Sequence, residues 1–166
     1  MASGRTLSGF AAVLTLLATF VFSWYSLDIP PKFYSNGLGI INNLPAMFTD
    51  ADSIATALDI PTFSIYIIAV CLILLLASGI LQLIGVTSRI AIFFGSLMPI
   101  SIGILLFFTN ADILDKALWI ENVFGIEDQL GPLPLELIGE NLVDVGGYLL
   151  LAGGVIGMIS IFLPRE

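Results

Sequence analysis

The chain contains no histidine, one cysteine and only five cationic side chains in 166 residues. Without imidazole there is no histidine-ligated haem, no histidine proton relay and no His-containing metal site. A lone Cys71 excludes cysteine-based zinc and iron–sulfur clusters, and leaves no intrachain disulfide to staple a loop. Charge of either sign is scarce. Asp, Glu, Lys and Arg make up 11% of the residues, against about 25% in an average soluble domain. The sequence also lacks a Walker loop, a dinucleotide fingerprint and a nucleophile elbow. The expectation is therefore a protein that is not an enzyme, with no catalytic, cofactor-binding or metal-ligating set and no nucleic acid as partner.

Apolar residues are abundant, at 58% of the chain. Four stretches, residues 7–27, 62–86, 90–109 and 145–163, approach or exceed the roughly 20 residues that cross a bilayer. No Asp, Glu, Lys or Arg interrupts them. The first follows Arg5 and is long for the apolar core of a signal peptide, so it reads as a retained helix. The expected fold is an all-α integral membrane protein. It is a single domain over residues 1–166, a four-transmembrane-helix bundle with long structured outer loops at 28–61 and 110–144.

Four spans place both ends of the chain on one side. Arg5, Arg89 and Arg165 fall there, with Lys32 and Lys116 opposite. All of the thirteen acids except Glu166 share the side of the two lysines. The cationic bias puts both termini in the cytoplasm and the acidic loops outside a plasma membrane. In the first loop, residues 28–48 read largely as turns, being rich in Pro, Gly and Asn. A short helix capped by Thr49 or Asp50 and ended by Pro61 follows, with Ile54, Ala57 and Leu58 apolar. The second loop reads as two amphipathic helices, one opened by Asn110 and one near Pro134.

Two groups of residues invite a role. The fourth span carries Gly146, Gly147, Gly153, Gly154 and Gly157, including one GxxxG and two seven-residue repeats. The first span carries Ser8, Ala12, Thr15, Thr19 and Ser23 at roughly helical spacing. Small residues let helix backbones approach closely in lipid. These stripes are candidate packing surfaces, within the chain or against another subunit. The second group is Glu136, Glu140 and Asp144, four residues apart ahead of the fourth span. Like charges so spaced repel. They read as a solvated face or, more sharply, as a contact edge for a basic partner or a cation. Asp50 with Asp52, and Asp112 with Asp115, suit helix starts better than a calcium loop.

Within the spans, Gln82 suits an interhelical hydrogen bond, and Tyr66 and Tyr148 suit the outer interface. Pro99, four residues after Gly95, predicts a kink. The long–short–long order of connections matches the layout of claudin- and tetraspanin-like proteins. The Trp-Gly-Leu-Trp and Cys-Cys-Gly motifs of those families are absent, so no family is assigned. The functional expectation is a non-catalytic structural or accessory subunit, or a scaffold, of a membrane assembly. Its partners would be the lipid bilayer and other membrane protein subunits. The alternative is a small oligomeric channel or transporter with an acidic, cation-attracting mouth.

Overall fold

A computed structural model describes residues 3–27, 33–109, 125–127 and 143–165. Among them are six helices: α1 Gly4–Phe20, α2 Gly37–Thr49, α3 Ala51–Leu58, α4 Thr62–Ile84, α5 Arg89–Thr109 and α6 Val145–Ser160. Three short strands, β1 Tyr25–Leu27, β2 Phe33–Ser35 and β3 Gly125–Glu127, form an antiparallel sheet in the order β1-β2-β3. Tyr25 pairs with Ser35, and Phe33 pairs with both Leu27 and Glu127. The protein is thus predominantly helical as expected, with a small sheet that the all-α reading did not include.

α1, α4, α5 and α6 pack in a closed order, each touching two neighbours: α1 against α4 and α6, and α5 against the same pair. α4 and α5 are long and apolar enough to cross a membrane, and most of their apolar stretch is not buried within the protein. α1 and α6 are apolar but shorter, at 17 and 16 residues. The expectation of four full-length spans is therefore met by two helices only.

The reasons are local. α1 starts early because the Ser3 side chain caps it, accepting from Thr6 N–H at 3.3 Å. It stops early because buried Trp24 turns back and donates Nε1–H to Ala18 O at 2.6 Å. That bond satisfies a carbonyl of the last turn, which a helix end otherwise leaves open. α6 ends in tight turns through residues 161–163. Pro164 follows, and the residue before a proline is disfavoured in helical geometry.

The first loop departs from the expected run of turns. Asn36 begins α2 by accepting from Leu38 N–H at 2.9 Å and Gly39 N–H at 3.2 Å. Pro45 lies inside that helix. α3 is the expected short helix, but Asp50 stands at its N-cap without a side-chain capping bond, and Asp59 rather than Pro61 ends it, in the left-handed region at φ 53°. Asp52 Oδ1 accepts from Thr62 Oγ1 at 2.8 Å, fastening α3 to the start of α4. α2 and α3 both pack on α4. Beneath them lies an apolar core that includes Trp24, Ile40, Met47, Ile65, Leu72 and Leu75. The two helices expected in the second loop lie outside the described residues.

Candidate functional site

Between the four packed helices many small and polar residues lie beside large ones such as Leu75, Ile92 and Leu150, while the outside is large and apolar. Ser8, Thr15, Thr19, Ser23, Ser78, Gln82, Ser96 and Ser160 are all buried. Phe10, Ile67, Val70, Ile80, Phe94 and Val155 are all exposed. A soluble protein rarely exposes apolar surface along whole helices in this way.

α6 brings its glycines to two different neighbours. A side chain at Gly146 would collide with the backbone of Ser23, and one at Gly153 with Thr15 Oγ1 and, at 3.1 Å, Ala11 O. Both face α1 and its end. A Cβ at Gly154 would stand 2.9 Å from Ile100 N on α5. One at Gly147 would meet Val143 Cγ1 at 2.7 Å and Trp24 O at 3.2 Å. Gly157 faces Ser96 and the Gln82 amide. The seven-residue repeats thus serve separate contacts within the chain. Thr15 and Thr19 are buried hydroxyls without a hydrogen-bond partner, and Ser8 Oγ lies 3.1 Å from Ser160 Oγ.

Of the three carboxylates four residues apart, Asp144 is described; Glu136 and Glu140 lie outside the described residues. Asp144 is buried, at 1% exposure, so the solvated reading does not hold for it. It occupies the N-cap of α6, yet its side chain makes no capping bond there. Its carboxylate instead accepts from Ser23 Oγ, reaching across to the chain leaving α1. The backbones repeat the link: Asp144 N–H donates to Trp24 O and Gly146 N–H to Ser23 O, both at 2.9 Å. The α6 N-terminus favours negative charge at this position. With Ser23 fully buried, the pair is closed to a substrate and acts as a fastening.

Gln82 has a specific task. Pro99 has no N–H, so the carbonyl four residues earlier, that of Gly95, loses its helical donor. Gln82 Nε2 donates to that carbonyl at 3.1 Å, and α5 continues unbroken from Arg89 to Thr109. A Cβ at Gly95 would come within 2.8 Å of Ser78 O and Gln82 N, so α4 and α5 touch closely here. The Gln82 Oε1 acceptor remains buried and unpaired. Sequence reasoning singled out Gln82 and Pro99 separately but did not join them. The joining signal was Gly95, the i−4 partner of Pro99.

Asp50 and Asp52 belong to no group of three possible metal ligands among the described residues. Tyr66 stacks on Phe48, with ring centroids 6.1 Å apart, and so joins α4 to α2. Tyr66, Ile67, Val70 and Cys71 line an open apolar groove on the outer face of α4. No protein family, curated protein or solved structure matches the chain.

Proposed function

We propose that this is a multi-pass integral membrane protein in which α1, α4, α5 and α6 form a four-helix bundle across the bilayer, serving as a non-catalytic accessory subunit or scaffold. One observation carries the reading: large apolar residues face outward along all four helices, while many of the inward positions between them are small or polar. In water that arrangement exposes apolar surface along whole helices; in lipid it is the favourable one.

At about 1.5 Å per residue, α4 measures roughly 35 Å and α1 roughly 26 Å. The hydrocarbon layer is about 30 Å thick. α4 and α5 cross unaided, while α1 and α6 reach across with the adjoining segments at 21–23 and 161–163. The arginine-bearing end, with both termini, lies in the cytoplasm of a plasma membrane. The acidic loops, including Glu136 and Glu140, lie outside and contact other membrane subunits. The channel reading is less well supported. Gly153 against Thr15, and Gly154 against α5, bring helix backbones together where a lumen would run. A pore would have to form between copies.

Two measurements test this reading. Alkaline carbonate should leave the protein in the membrane pellet, and native mass in mild detergent should show the chain with a second protein at fixed stoichiometry. Release by carbonate overturns the membrane placement. A monomer overturns the subunit role, and a closed ring of identical chains favours the channel.

A further inference from the structure

Arg5, Arg89 and Arg165 come from three distant parts of the chain to one end of the protein. Gly4 N–H donates to Pro164 O at 2.7 Å, which ties the start of α1 to the C-terminal segment. The tight turn between α4 and α5 returns to the same end, with Arg89 as the first residue of α5. Arg5 and Arg89 thus stand in the first turns of two helices, and neither turn contains an acid. A cation there opposes the positive end of the helix.

Arg165 adds the third charge. Its Nε, Nη1 and Nη2 are covered by neighbouring atoms and make no hydrogen bond. Burial, then repulsion from Arg89 and Arg5, holds its pKa below the usual arginine value. The described acids Asp50, Asp52, Asp59, Glu127 and Asp144 belong to α2–α3, β3 and the start of α6, at the opposite end. Three arginines and two helix starts therefore share one end without a carboxylate among the described residues, which leave out Glu166. A polyoxygen anion at the exposed Arg5 and Arg89, beside the charge of Arg165, would relieve that repulsion and supply acceptors in the geometry guanidinium favours.

The surroundings say which anion. The two most exposed large hydrophobics among the described residues are Phe162, at 82%, and Ile90, at 71%. Each is a near neighbour in sequence of one of these arginines. Free phosphate gains nothing from them, whereas an amphiphile does.

We propose that the end formed by Arg5, Arg89 and Arg165 binds the phosphate of an anionic membrane lipid, with Phe162 and Ile90 against its acyl chains. The inference rests on the membrane placement argued above.

The test is native mass spectrometry of the full chain in neutral detergent, titrated with phosphatidylglycerol or phosphatidylcholine of matched acyl chains. The protein should retain phosphatidylglycerol in preference. Arg165→Gln should weaken that retention about fivefold, the effect of one basic residue near an anionic surface. The triple variant Arg5→Gln/Arg89→Gln/Arg165→Gln should lose the preference, and Arg165→Lys should keep part of it. Thermal melting confirms that each variant is folded; if the triple variant is not, Arg165→Gln carries the test. Equal retention of both lipids, or an unchanged preference in Arg165→Gln, overturns the proposal. Displacement of the lipid by inorganic phosphate alone assigns the site to a free anion and overturns the lipid assignment. Carbonate extraction separates the two claims. Release from the membrane defeats the placement, whereas retention without lipid preference defeats this inference alone.

Discussion

Under α2 and α3 the helices meet through Trp24, Ile40, Met47, Ile65 and Leu72. Toward the end that carries the termini they meet through Ser8, Gln82, Ser96, Gly153, Gly157 and Ser160. The first region is a core that water could drive together, with large side chains inside. The second gains less from the hydrophobic effect, because most of its large apolar side chains, Ile92 excepted, point outward. It is held by backbone proximity at glycines and by single hydrogen bonds, forces that remain when the surroundings are hydrocarbon. On the proposed membrane placement, with an outer cap over one half and lipid around the other, both are needed.

The contrast can be broken from either side. The largest effect is expected in the apolar region. Trp24→Ala removes a buried ring and the donor to Ala18 O, and should cost about 3–5 kcal/mol, read as a fall in thermal stability in detergent. Next comes Gly153→Leu, which forces α6 away from Thr15 and Ala11 and should cost about 1–3 kcal/mol. Gly9→Leu, at a position where a Cβ meets nothing within 4 Å, should leave stability unchanged. Equal melting of the two leucine variants would remove the argument that close helix approach holds this region.

A smaller effect sharpens the picture at one bond. Gln82→Leu leaves the Gly95 carbonyl without its donor and should cost about 1 kcal/mol. In a Pro99→Ala background the backbone N–H restored at position 99 can serve that carbonyl, so the same Gln82→Leu change should cost less. A double-mutant cycle with no coupling would mean that Gln82 does not compensate for the proline.

Much of the helical frame was legible because α4 and α5 are uninterrupted apolar runs whose limits coincide with charge and turn residues. The ends of α1 and α6 were not, since composition alone does not stop an apolar run. α1 ends through the indole of Trp24, a contact that depends on the chain reversing. α2 was hidden by its Gly, Asn and Pro content, although Asn36 is a conventional helix cap. The glycine stripe was visible as a packing surface. Its division between α1 and α5 was not, because a seven-residue repeat does not say which neighbour each glycine meets. Asp144 looked like one member of a hydrated acidic row. Its burial follows from Ser23, 121 residues away in sequence, and no local pattern shows such a partner.

The most direct test of the lipid-facing apolar exterior is thiol labelling in sealed membranes. Cys71 is first replaced, and single cysteines are then placed at Asn42, Ile73 and Thr87. All three positions are exposed on the protein surface. The account predicts that an impermeant aqueous reagent labels position 42 from outside and position 87 only after the membrane is opened. It predicts no labelling of position 73 in either condition, because that side chain lies in lipid. Aqueous labelling at position 73 in the folded protein would contradict the account, since the outer face of α4 would then be in water.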